Sequence, residues 1–136
     1  MLRFRIAAAV AAVLAFQACA SVENVITAEP GTAFSLPVGK TAAVTGTASR
    51  ITFTQVRQDS RCPTNVVCVW AGDATIEVTV SRNGAPVESA NLTLGPQNSE
   101  AQLGDLAVRF VGLAPAPRSP EPAPRRYVAE LLIRKL

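Results

Sequence analysis

Asp73-Ala74-Thr75-Ile76-Glu77-Val78-Thr79-Val80-Ser81, then Asn83-Gly84, then Val87 to Leu94, reads as two strands joined by a tight turn. Ala74, Ile76, Val78 and Val80 fall on one side of an extended chain, and Thr75, Glu77 and Thr79 on the other. That alternation has the period of a half-buried strand. Asn83 and Gly84 both tolerate positive φ, which a two-residue hairpin turn requires. Downstream, Gly95-Pro96 ends the hairpin and Ala101 to Leu103 forms a short edge piece. Leu106, Val108 and Phe110 give another inward face, with Ala107 and Arg109 outward. Ala114 to Arg125 holds five prolines and reads as an extended connection, because proline cannot pair inside a central strand. Tyr127 to Lys135 is the last strand, with Tyr127, Ala129, Leu131 and Ile133 on one face.

Upstream, short β-branched and aromatic runs alternate with turn residues. Ala33 to Pro37 is followed by a turn at Val38-Gly39-Lys40, then by Thr41 to Thr47, Ile51 to Arg57 and Val66 to Ala71. No stretch after Phe16 carries a capped helical period. Seven to eight short strands with frequent turns predict an all-β domain. The expected architecture is a single antiparallel β-sandwich, immunoglobulin-like or similar, over residues 31 to 136.

The first residues read differently. Arg3 and Arg5 precede an apolar run from Ile6 to Phe16, and Ala18, Cys19 and Ala20 follow. This is the pattern of a signal peptide over residues 1 to 18, helical in its apolar part and too short for a permanent membrane span. Residues 19 to 30 carry no clear period and end at Pro30-Gly31, so they read as a flexible tether. The 136-residue chain thus yields one exported domain with a modest core.

Charge and composition exclude several functions. Removing Arg3 and Arg5 leaves 11 basic against 10 acidic residues, with no concentrated basic patch, so nucleic acid is not an expected partner. Arg125-Arg126 and Arg134-Lys135 read as solvated surface pairs. The chain has no histidine, which removes the commonest general base and the commonest metal ligand. No carboxylate pair sits in a catalytic motif. The expectation is a protein that is not an enzyme and uses no cofactor or metal.

The stretch Asp59-Ser60-Arg61-Cys62-Pro63-Thr64-Asn65-Val66-Val67-Cys68-Val69-Trp70-Ala71-Gly72 carries the candidate site. Five residues between Cys62 and Cys68 suit a local disulfide in an oxidising compartment, and neither a redox pair nor a zinc site. Cys19 is then left over. Directly after a signal hydrophobic region, it reads as the lipid-attachment cysteine of a bacterial lipoprotein. Ala18 fits that reading, while Phe16 and Gln17 depart from the usual residues. Cleavage after Ala20 by an ordinary signal peptidase is the alternative. With lipidation, Ala20 at the second mature position suits sorting to the outer membrane.

Trp70 reads as core, its ring packed over the disulfide or the opposite sheet. Its alternative is a place on a recognition surface with Arg61. Asp59-Ser60-Arg61 reads as a turn with a local Asp59–Arg61 pair, or as a fixed polar loop presented to a ligand. Asp73 could join Asp59 on calcium, but two carboxylates without a dense Asp/Asn/Gly loop argue against it.

The run from Phe53 through Asp59-Ser60-Arg61-Cys62-Pro63, then Val67-Cys68-Val69-Trp70-Ala71-Gly72 and Ala74, resembles the core motif of a group of small, uncharacterised, exported bacterial proteins, many described as lipoproteins. The resemblance extends to Phe34-Ser35-Leu36 with Gly39, to Leu113 to Pro117, and to Tyr127 to Leu131. It implies export and the β fold, and brings no activity, substrate or catalytic residue.

The expected function is a non-enzymatic β domain of the cell envelope, a binding or structural module. Its partner would be an unknown envelope protein or other envelope component, with Asp59, Arg61 and Trp70 as the candidate binding loop. The expected location is an outer-membrane-anchored lipoprotein facing the periplasm or surface; a free periplasmic or secreted protein is the alternative. The other functional reading is a protease-inhibitor-like module using the disulfide-held loop, whose ordering cost on binding would be low.

Overall fold

A computed structural model describes residues 24–121 and 125–136. Among the described residues nine strands follow in chain order: β1 (Ile26–Ala28), β2 (Ala33–Pro37), β3 (Thr41–Val44), β4 (Ser49–Asp59), β5 (Ala74–Arg82), β6 (Ala85–Thr93), β7 (Glu100–Leu103), β8 (Leu106–Ala114) and β9 (Val128–Lys135). They form two sheets, one of five strands in the order β1-β3-β4-β5-β6, the other of four in the order β2-β9-β8-β7. The expected all-β sandwich is the observed fold. The proposed signal helix, and Cys19 with it, lie outside the described residues.

The hairpin that decides the fold forms as its sequence dictates. Ala74, Ile76, Val78 and Val80 are buried, and Asn83 and Gly84 take φ of 52° and 78° in the turn. Ile51 and Phe53 from β4 lie on the same buried face. Leu106, Val108 and Phe110 from β8, with Ala129, Leu131 and Ile133 from β9, supply the opposing layer. The outer face of the larger sheet is polar. Threonine and serine hydroxyls pair across it at Thr41–Thr52, Thr54–Thr79, Thr79–Ser89 and Thr75–Thr93, at 2.7 to 3.2 Å. One buried face and one hydroxyl-paired face are what alternation produces in an antiparallel sheet.

Four expectations need correction. Residues 66 to 71 are not a strand. β4 reaches Asp59 and β5 begins at Ala74, paired to each other, so no open edge is left for that segment. Within the expected tether, Ile26–Ala28 is a strand, paired parallel to β3 through Ile26–Ala42 and Ala28–Val44. Ala28 is buried in the core, and this anchors it. This also makes one pairing parallel in an otherwise antiparallel sandwich. Ala107, expected outward, is buried, because the register sets this small side chain between the long Gln102 and Arg134. Arg125, expected to be solvated, is largely enclosed.

Candidate functional site

β4 and β5 form one antiparallel pair, β8 and β9 another, and the ends joined by their long connections lie at the same end of the sandwich. The β4–β5 connection, residues 60 to 73, holds the disulfide. The β8–β9 connection, residues 115 to 127, holds the prolines. Each braces the other.

The β4–β5 connection starts as a narrow continuation of the sheet. The Ser60 N–H donates to the Asp73 carbonyl and the Cys62 N–H to the Ala71 carbonyl, both at 2.8 Å. Gly72 makes this close approach possible. Its φ is +66°, and a Cβ there would lie 1.8 Å from the Ser60 carbonyl oxygen. Gln58 Nε2 donates to Asp73 Oδ1 at 3.2 Å, and the Asp73 N–H to Ser60 Oγ at 3.2 Å. Cys62 and Cys68 are joined, with 5.9 Å between their Cα atoms. Beyond the bridge the loop leans on its neighbour. The Thr64 N–H donates to the Pro117 carbonyl at 2.9 Å, Asn65 Nδ2 to the Ser119 carbonyl at 2.6 Å, and the Ser119 N–H to Asn65 Oδ1 at 2.9 Å.

Asp59 is the hub of the bracing. Its Oδ1 accepts from Arg61 Nε at 2.8 Å. Its Oδ2 accepts from Arg61 Nη2 at 2.9 Å, Arg125 Nη1 at 2.5 Å and the Tyr127 hydroxyl at 3.0 Å. Arg61 also caps two backbone carbonyls where β8 runs into the other connection, Leu113 through Nη1 at 2.7 Å and Pro115 through Nη2 at 3.0 Å. Arg125 pairs with Glu121 and lies over the Tyr127 ring, 5.5 Å from its centroid. The Asp59 side chain is 6 % exposed. Burial alone would raise its carboxyl, but the Arg61 hydrogen bonds and charge, with the Tyr127 hydroxyl, outweigh this and hold it at about 2. The hydrogen bonds to Asp59 in turn make Arg61 hold its own proton more tightly than usual. Two guanidinium groups against two carboxylates leave the cluster neutral. Its donors are committed to bracing, and a shielded, balanced cluster of this kind holds backbone in place.

Trp70 lies elsewhere. It is 81 % exposed, with Val67 and Val69 fully exposed at 101 % and 104 %, and Val66 partly so. The core reading of Trp70 is therefore overturned. It rested on a strand that does not form. Past the Cys62–Ala71 contact the chain has left the end of the sheet, and the opposite sheet offers nothing above it. Arg61, Pro63, the disulfide, Val69 and Trp70 border an open hollow of about 490 Å³ on this loop.

The sequence-predicted residues thus separate into two groups. Asp59 and Arg61 come together as the local pair, but as an enclosed brace. Trp70 takes no part in the brace and is exposed, sharing with Arg61 only the border of the open hollow. Of the two carboxylates considered for calcium, Asp59 accepts from Arg61 and Asp73 from Gln58. Sequence reasoning missed Arg125 and Tyr127 as partners of Asp59, and Val67 and Val69 as exposed. The one signal for the valines was the absence of any charged residue from Cys62 to Gly72. Comparison with protein-family models, with curated proteins and with solved structures gives no match to this chain.

Proposed function

We propose that this protein is a non-enzymatic, exported β domain of the cell envelope that binds an envelope component through the tip of its disulfide-held loop. The observation that carries this reading is the exposure of Val67, Val69 and Trp70 on a loop held by the disulfide, the Gly72 turn and the docking of Thr64 and Asn65. Exposed single apolar residues are ordinary, but an apolar group of this kind on a pre-ordered loop marks a contact surface. The disulfide, the Asp59 brace and the docking of Thr64 and Asn65 lower the entropy lost on binding. The chain has no histidine, and the carboxylate at the site is held by arginines, which supports a binding role over a catalytic one.

Export and attachment complete the proposal. Arg3, Arg5 and the apolar run to Phe16 support a cleaved signal, and Cys19 is the proposed lipid-bearing N-terminus in the outer membrane. Loss of Arg61 would release the brace, so binding is probed at the tip instead.

The test is a photo-reactive residue placed at Val69 in cells, with the same residue at Val87 on β6 as an exposed control. Adducts to an envelope component at position 69, absent at 87, are the expected outcome. No adduct at 69, or equal labelling at both, would refute a binding role for the tip.

A further inference from the structure

We infer that the envelope component met by this loop is a lipid bilayer, with Val67, Val69 and Trp70 entering its interfacial region. The inference deepens the loop-binding reading above and rests on it.

The chemistry of the tip comes first. Val67 and Val69 are at least as exposed as in an extended chain, so they project from the surface as a convex point. From Cys62 to Gly72 there is no charged side chain. The polar side chains of that stretch, Thr64 and Asn65, are already bonded to the Pro117 and Ser119 backbone. The side chains of the tip can therefore leave water with little loss of hydration, and they offer few directional contacts by which a protein would recognise them. A projecting valine pair beside an indole suits the membrane interface, where tryptophan is enriched and apolar side chains enter the acyl boundary.

The rim fits the same surface. Arg118 lies between the two residues that hold the loop, Pro117 and Ser119, and is exposed; Arg126 is exposed on the same connection. Basic residues at the base of an apolar tip complement anionic lipid headgroups.

The path of the chain allows the same placement. β1 pairs parallel with β3, and β3 runs antiparallel to β4. Going backwards from Ala28 to Ile26 is thus the same direction as going forwards from Ser49 to Ile51, toward Asp59 and the loop. The chain before β1 leaves on a heading toward the loop end. Seven steps separate Ile26 from Cys19, at most about 25 Å when fully extended. From Ile51, level with Ile26, to Asp59 is eight steps of strand, about 26 Å. Fully extended along that heading, the chain would bring a lipid on Cys19 level with Asp59, at the base of the loop end.

Trp70 is the chain's one tryptophan, so its fluorescence reports on the tip alone. Every strand among the described residues lies within residues 26 to 135, so the chain from residue 19 onward, carrying Cys19→Ser, retains these strands without a lipid. Added to vesicles of phosphatidylethanolamine and phosphatidylglycerol, it should show a shift of emission to shorter wavelength. It should also be protected from acrylamide and quenched by bromine-labelled lipid. Val69→Asp should weaken partitioning about tenfold or more, with an unchanged melting temperature to show that it folds. Arg118→Gln should weaken binding to these vesicles and not to neutral phosphatidylcholine ones. No spectral shift with either vesicle type would overturn the inference. So would binding unaffected by Val69→Asp, or protection of Trp70 only by a lipid-free envelope protein. The binding reading itself is judged by the adducts at position 69, and can stand if the lipid inference falls. Labelling of Cys19 by a palmitate analogue tests the anchor separately, because vesicle binding by the Cys19→Ser chain does not need it.

Discussion

Val69 and Val78 are the same side chain nine residues apart in opposite surroundings. Val78 is fully buried between the sheets, and Val69 is fully exposed at the loop tip. In the body of the sandwich, backbone position follows from side-chain burial: the alternating residues of β5 go inward and the strand follows. At the loop end the order is reversed. There the backbone is fixed by a disulfide, an arginine–aspartate cluster and the turn at Gly72, and the apolar side chains go where that backbone leaves them. Apolar residues hold the fold together in one region and are held out by it in the other.

The contrast is sharpest between two aromatic residues. Phe53→Ala empties a fully buried site in the core and is expected to cost about 3 to 5 kcal/mol, measured by denaturant unfolding. A loss near zero would mean that the two sheets do not share one core.

The brace comes next. Asp59→Asn leaves Arg61 and Arg125 facing a neutral group at a largely enclosed site, for an expected loss of about 2 kcal/mol. The pH dependence follows from the lowered carboxyl. A depressed folded value contributes stability that is fully present above the unfolded value, about 3.9. It is lost as pH falls through the folded value of about 2. The stability gap between wild type and Asp59→Asn should therefore be constant above about pH 5 and close toward pH 2. A gap independent of pH would mean that the carboxylate charge is not what braces the loops.

Gly72→Ala forces a side chain into the Ser60 carbonyl from a positive-φ backbone, with an expected loss of about 1 to 3 kcal/mol. Reducing Cys62–Cys68 removes about 2 kcal/mol of chain-entropy constraint, but from the loop. Hydrogen exchange should rise in residues 60 to 73 and stay slow in β5 and β8. Uniform acceleration would show that body and loop unfold as one.

Trp70→Ala is the smallest expected effect, less than about 0.5 kcal/mol, in keeping with exposed positions. A loss of several kcal/mol would place the indole back in the core and erase the distinction between the regions.

The body was legible in the sequence because its forces are local and periodic. Asn83-Gly84 specifies its own turn, and β5 specifies its buried face by alternation. The site was legible in part. Cys62 and Cys68 identified each other by nearness, and Asp59 with Arg61 by adjacency. Arg125 and Tyr127 join the cluster from 66 and 68 residues away, through two strand pairings that no local pattern encodes. Trp70 was misread for a definite reason. An apolar run with no polar face is the shared signature of a covered central strand and of an exposed apolar tip. Only the pairing of β4 with β5, which closes the sheet below it, separates the two. The parallel strand β1 was hidden because three residues are too few to show a period.

That short strand has a mechanical meaning. Tension applied through the N-terminus in the direction the chain leaves β1 runs along the strand axis. The three pairings to β3 would then share the load in shear, and Ala28 would have to slide out of the core before any of them could peel away singly. A domain pulled from that end resists being drawn off its own first strand.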